Sequence, residues 1–178
     1  MDKRVLCLLA DGFEEIETIT PVDLLRRAGV EVVVAALHGT AATGRSGIRV
    51  NADADLDEVS HAEFDLLLIP GGPGVSGLRG DGRAAVLAAA FHEAGKPVAA
   101  ICAAPLVLMD AGLLDGRRFT AHRSVRDVLS RALDDEVVVD ENLITSRGAG
   151  TALEFGLALV RHLAGQAAAD KVAADIMV

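Results

Sequence analysis

Six strand-length apolar runs separated by longer amphipathic stretches set the strongest limit on what this chain folds into. They are VLCLLA (5–10), VEVVVAAL (30–37), FDLLLIP (64–70), PVAAIC (97–102), EVVVD (136–140) and NLITS (142–146). Several are apolar throughout, which is the pattern of strands buried on both faces. Between them TPVDLLRRAG, RAAVLAAAFHEAG and APLVLMDAGLL carry apolar residues at helical spacing and end near Gly29, Gly95 and Gly112, where glycine supplies a helix stop. Thr20 before Pro21 reads as an N-cap followed by proline at the first helical position. The alternation predicts a mostly parallel sheet with helices on both faces and right-handed crossovers.

Two stretches depart from this rhythm. Residues 38–57 are rich in turn formers around one alternating piece, IRVNA, and predict an excursion carrying a small hairpin. DEN at 140–142 separates two strand-like runs and predicts a tight turn, so the sheet is not parallel throughout. TALEFGLALVRHLAG predicts an amphipathic helix, and the Ala-rich tail a last helix packed on the core or on a second subunit. The 178 residues suit one domain, 1–178.

Charge and composition exclude several functions. The formal net charge of -9 argues against a tight nucleic-acid partner, because phosphate neutralisation needs clustered Lys and Arg. The one basic cluster, Arg117, Arg118, His122, Arg123 and Arg126, reads as the solvated face of a helix in preference to an anion site. The longest charge-free apolar run, Val98 to Met109, has 12 residues and includes a proline, short of the roughly 20 a membrane span needs. The apolar start, Val5 to Ala10, is followed by the acidic DGFEE where a signal-peptide cleavage site would fall. A cytoplasmic location is expected. Cys7 and Cys102 form no disulfide framework, and with five scattered histidines they show no zinc-ligand spacing.

Ligands of open α/β sheets sit beyond the carboxyl ends of the strands. Three loops with unusual sequences leave such ends: ADGFEEIE, PGGPGVSG and ICAAP. Cys102 falls where PVAAI turns into a helical pattern, among small residues that permit a tight bend. A helix start favours a thiolate there, whereas a free cysteine is commonly just a small buried hydrophobe; residue type leaves both readings open. The glycines at 71, 72, 74 and 77 either aim backbone N–H groups into a cleft or make a flexible turn. Neither a phosphate-binding P-loop nor a dinucleotide fingerprint is present. Glu14, Glu15 and Glu17 read as an acidic helix start. An ionised carboxylate beside Cys102 would raise the thiol pKa, and a protonated one could donate to the sulfur. If the two touch, their titrations are coupled. His122 in FTAHRS is either a satisfied histidine or an acid/base partner for the cysteine.

ADGFEEIET, RRAG, PGG, AAICAAP, TAH and ITSRGAGTALEFGLALV together resemble the ThiJ/PfpI superfamily in order and spacing. The similarity is to the branch containing the Parkinson-disease-associated protein deglycase and its bacterial relatives, and it extends over essentially the whole chain. It implies a flavodoxin-like sandwich with a nucleophile elbow and a homodimer, for which the RRAG helix is the expected surface. By motif match it implies Cys102 as nucleophile, Glu17 as the thiol-contacting acid, His122 as the histidine, and the amides of Gly72 and Ala103 as the oxyanion site. Glu14 and Glu15 are then mostly structural. No cofactor and no metal are implied. The implied activity is a cysteine-dependent, glutathione-independent glyoxalase or deglycase that converts methylglyoxal, glyoxal or their early adducts to hydroxy acids. The partners are then small aldehydes or glycated adducts. The alternative is a redox-responsive chaperone or oxidative-stress sensor acting through Cys102 oxidation. Ala103 stands where the peptidase branch has a histidine, which speaks against peptidase chemistry, and no acid completes a triad with His122.

Overall fold

Strand β1 (Arg4–Leu9) is buried on both faces, and the rest of the molecule is arranged around it. The computed structural model describes residues 3–178. β1 pairs in parallel with β2 (Glu31–Ala36) on one side and β6 (Leu66–Ile69) on the other. β7 (Val98–Ile101) and β9 (Leu143–Ser146) extend the sheet in parallel. β5 (Ala54–Asp55) closes one edge against β2, and β8 (Val137–Asp140) closes the other antiparallel to β9. The order β5-β2-β1-β6-β7-β9-β8 is a flavodoxin-like α/β sheet.

Period-two alternation sorts each strand into two cores. Leu6 and Leu8 face a cluster with Leu67, Ile69, Phe91 and Leu108. Val5, Cys7 and Leu9 face Leu24, Leu25, Phe155 and Leu159. The first cluster is covered by α2 (Val75–Asp81), α3 (Arg83–Glu93) and α4 (Pro105–Asp110). The second is covered by α1 (Glu15–Arg27), α5 (Ala152–Ala164) and α6 (Gln166–Asp175). Each leucine sealed this way contributes about 1.5–3 kcal/mol relative to exposure. Cys7 belongs to this packing, its thiol pushed up to about 12 by burial.

The hairpin expected in the excursion is β3 (Ala41–Thr43) against β4 (Arg49–Asn51). The DEN turn joins β8 to β9, with Glu141 at φ 53.

Three local expectations are corrected. α1 begins at Glu15, not after Thr20, and carries Pro21 inside it. Proline there removes one helical hydrogen bond; packing against α5 offsets it, since a Cβ on Gly156 would lie 2.6 Å from Leu24 Cδ1 and 3.1 Å from Pro21 Cα. The glycine loop is shorter than read, because Val75 already starts α2. The arginines of 117–126 do not share a helix face: only Arg123–Val125 is helical, as one 3₁₀ turn. Arg117 pairs instead with Glu141 at 2.5 Å.

Candidate active site

The carboxyl ends of β1, β6 and β7 lie side by side, and the loops leaving them meet. Their backbones are in direct contact: Glu14 N–H donates to Gly71 O at 3.1 Å, and Gly74 N–H to Gly12 O at 2.9 Å. No side chain fits between them. A Cβ on Gly72, whose φ is 93°, would lie 2.6 Å from both Glu14 N and Gly12 O.

Cys102 directly follows β7 with φ 67°, a left-handed conformation that costs a residue with a Cβ roughly 1–2 kcal/mol. Two long-range bonds hold it there. Its N–H donates to Ser146 O at 2.9 Å, and its carbonyl accepts from His122 N–H at 2.8 Å. Pro105 then opens α4. The turn lifts the partly buried side chain out of the strand toward Glu17, which α1 supplies from the first loop and which is only 1% exposed. The two side chains meet over Gly71: its N–H donates to Glu17 Oε2 at 3.1 Å. A Cβ on Gly71 would lie 2.6 Å from Cys102 Cβ and 2.8 Å from Ile101 O.

These contacts set the electrostatics. Burial pushes Glu17 up to about 7, and its hydrogen bonds with Cys102 and Gly71 N–H pull it back only in part. Burial also pushes the Cys102 thiol up to about 12, reinforced by the Glu17 charge and opposed by the amides of Gly72 and Ala103. This corrects the expectation of a thiol activated by the helix start alone, since α4 is a six-residue helix and its end competes with a buried carboxylate. Two anions in contact in this space are strongly disfavoured, so the pair keeps one proton between them. The thiolate exists when Glu17 holds that proton and the two amides face the sulfur.

His122 lines the same cavity as Cys102, Glu17, Gly72 and Ala103. Its Nδ1 accepts from Ser124 N–H at 3.2 Å and lies 2.8 Å from Ser124 Oγ. This bond leaves the ring proton on Nε2 in the neutral form. Burial, with Arg123, Arg126 and Arg45 nearby, lowers its pKa. The ring partner at Nδ1 is therefore Ser124.

The cavity is about 480 Å³, and part of its wall was not legible in sequence. Glu14, read as structural, lines it and pairs with Arg45 at 3.2 Å. Glu15 is structural as read: its Oε1 accepts from Ser46 N–H at 2.8 Å and ties the hairpin to α1. Arg79, held by Asp110 at 2.6 Å, forms another part of the rim. Glu14 was visible only as one acid among three. Arg45 carried no signal in the chain. Among the described residues no group of three or more His, Cys, Asp or Glu is placed to hold a metal, and no helix is long and apolar enough to cross a membrane.

The DJ-1/PfpI family model matches residues 3–162. The chain belongs to the DJ-1/PfpI family. This DJ-1/PfpI chain is 40% identical to protein DJ-1beta of Drosophila melanogaster, over 100% of its own length and 98% of the relative's. The crystal structure of that fly protein superposes with a TM-score of 0.94, covering 100% of this chain and 99% of the other at 38% identity. An Escherichia coli relative named protein/nucleic acid deglycase 2 is 40% identical over 83% of this chain and 90% of its own. Toxoplasma gondii DJ-1, solved in an oxidized form, superposes with a TM-score of 0.92 at 35% identity, covering 98% of each chain.

Proposed function

We propose that this protein is a cysteine-dependent, glutathione-independent glyoxalase or deglycase that converts methylglyoxal, glyoxal or their early adducts to hydroxy acids. The observation that carries the reading is the left-handed turn at Cys102, which sets a thiol between a buried acid and two backbone amides at the floor of a small cavity. The name of the Escherichia coli relative supports the substrate class. A volume of about 480 Å³ suits a three-carbon dicarbonyl or the modified tip of a side chain.

The reaction balances without a cofactor. Cys102 Sγ attacks the aldehyde carbon of methylglyoxal, and the carbonyl electrons move to oxygen, where the amides of Gly72 and Ala103 receive the negative charge. Glu17 or His122 removes the proton from that carbon and returns one to the neighbouring carbon through an enediolate, leaving a 2-hydroxyacyl thioester on Cys102. Water cleaves the thioester to lactate and restores the thiol. The carbon that is oxidised and the carbon that is reduced belong to one molecule.

Protein given methylglyoxal in buffer free of glutathione and metal is expected to release lactate stoichiometrically, read by an enzymatic lactate assay. Absence of lactate would overturn the proposal. A second reading, a redox-responsive chaperone or stress sensor, is favoured by one feature. Glu17, pushed up to about 7, keeps a proton that it can donate to an oxidised sulfur. Two equivalents of peroxide would take the thiolate through sulfenate to sulfinate. Mass spectrometry separates the readings: a stable dioxygenated Cys102 together with negligible lactate formation selects the sensor.

The protein also acts, in this proposal, as a homodimer through α1. Ile16 and Ile19 on that helix and Ile48 on the hairpin are 53%, 46% and 57% exposed. Glu15 ties the hairpin to this helix, its Oε1 accepting from Ser46 N–H at 2.8 Å and Ile48 N–H at 3.5 Å. Ile16→Glu is expected to shift sedimentation from dimer to monomer; a wild-type monomer would exclude this assembly.

A further inference from the structure

β8 is the last strand of the sheet and pairs only with β9, antiparallel to it. The register sets Val137 against Ser146 and Val139 against Ile144. Arg147 N–H donates to Glu136 O at 3.1 Å, and hydrogen-bonded pairs alternate along an antiparallel ladder. Glu136, Val138 and Asp140 therefore turn their backbone groups toward β9. The N–H and C=O groups of Val137 and Val139 point away from the sheet, and among the described residues they meet no partner. Beside this open edge, between β8 and α5, lies a cavity of about 460 Å³. It shares no residue with the Cys102 cavity. Its floor is made by Val137, Val139, Leu157 and Ala158, and Val139 is 50% exposed. An unpaired backbone row next to an apolar hollow suits an added strand, with main-chain bonds on the edge and alternate side chains in the hollow.

Charge decides what that strand is. α5 leaves the end of β9 that pairs with Val137, so Glu154 in its first turn stands at the same end of the hollow as Asp135 and Glu136. Asp135 and Glu154 are exposed and form no ion pair among the described residues, while Glu136 lies 3.5 Å from Arg147. Arg161, about two turns further along α5, marks the other end. A second copy of the chain fits this edge badly. Two β8 strands paired about Val138 would set Glu136 against Asp140 and bring Asp135 up to Glu141, and like charges placed opposite one another repel. We propose that the β8 edge receives an extended segment of another protein, antiparallel to β8. That segment places apolar residues opposite Val139 and Val137 and, two residues further on, a lysine or arginine facing Asp135 and Glu154. The inference does not depend on the chemistry at Cys102.

The probe is an end-capped, fluorescein-labelled peptide, Ser-Ile-Thr-Val-Thr-Lys-Lys, read by fluorescence anisotropy at low ionic strength. Wild type is expected to bind it saturably and to bind the version ending in Glu-Glu at least about tenfold more weakly. The double variant Asp135→Lys, Glu154→Lys is expected to reverse that preference. Neither side chain is engaged by another among the described residues, so the variant should fold. Backbone methylation of the peptide reads the strand pairing without touching the protein. N-methyl groups on its isoleucine and valine, whose amides face β8, are expected to abolish binding. N-methyl groups on its two threonines, whose amides face away, are expected to leave it intact. No saturable signal from wild type at about 1 mM peptide, the same affinity for both methylated peptides, or indifference to the charge reversal would overturn the proposal. Loss of a self-association step in Val139→Lys, from a wild type that binds no peptide, would overturn it in favour of a second copy at this edge.

Discussion

Cys102→Ala is expected to lower lactate formation from methylglyoxal at least about 10³-fold, to the uncatalysed background, because the variant has no atom able to form the thioester. Cys102→Gly should be equally inactive and yet differ in stability. Position 102 has φ 67° in a turn fixed by Ser146 O and His122 N–H, so alanine inherits the left-handed strain and glycine does not. After the entropy a glycine adds to the unfolded chain, the glycine variant should be about 0.5–1 kcal/mol more stable than the alanine one by chemical denaturation. Turnover by either variant at the wild-type rate would remove Cys102 from the chemistry. A glycine variant less stable than the alanine one would remove the strain.

Glu17→Gln is expected to be a slower and more stable protein. Loss of a positioned acid/base lowers kcat about 10²- to 10⁴-fold. The stability change follows from the carboxyl's raised pKa. Folded Glu17 titrates near 7 because of burial, against 4.5 ordinarily. Between those values the folded protein holds a proton that the unfolded chain has released, so wild-type stability falls as pH rises from about 4.5 to about 7 and is level above that. Glutamine has no charge to bury and retains an acceptor for Gly71 N–H. The variant should therefore match wild type near pH 4 and exceed it by about 2–3 kcal/mol at pH 8, in urea titrations at both values. A wild type more stable than Glu17→Gln at pH 8 would show that the ionised carboxylate is not buried at a cost.

The sheet was readable from sequence because burial on both faces writes itself as unbroken apolar runs, as in VLCLLA and DLLLI, and the DEN turn marked the antiparallel edge. The placement of Cys102 was readable from the small residues around it. The start of α1 was not, since local chemistry favoured a cap at Thr20, while packing of Pro21 and Leu24 against Gly156 decides the helix. Ser124 as the ring partner of His122, and Arg45 as the partner of Glu14, depend on where a 3₁₀ turn and a hairpin fold back. Neither has a periodic signature. The arginines at 123 and 126 looked like a helix face because the spacing fits one; the bridge between Thr120 and Leu133 draws that segment into a loop instead. Gly71 was recognised as part of a glycine loop, but what forbids a side chain there lies 54 residues back, at Glu17 Oε2, and 30 and 31 residues further on, at Ile101 O and Cys102 Cβ.

Glu17, Gly71 and Cys102 come from the segments that follow three neighbouring strands of the sheet, although the first two are 54 residues apart in the chain. Pairings this far apart in the chain slow folding, because loop closure costs entropy before the contact forms. A nascent polypeptide emerging from the ribosome with β1 and β6 made but β7 still unpaired carries no thiol–acid pair. Its cysteine is an ordinary one, and the contact with Glu17, with the raised thiol pKa it brings, forms only when the last of the three strands docks.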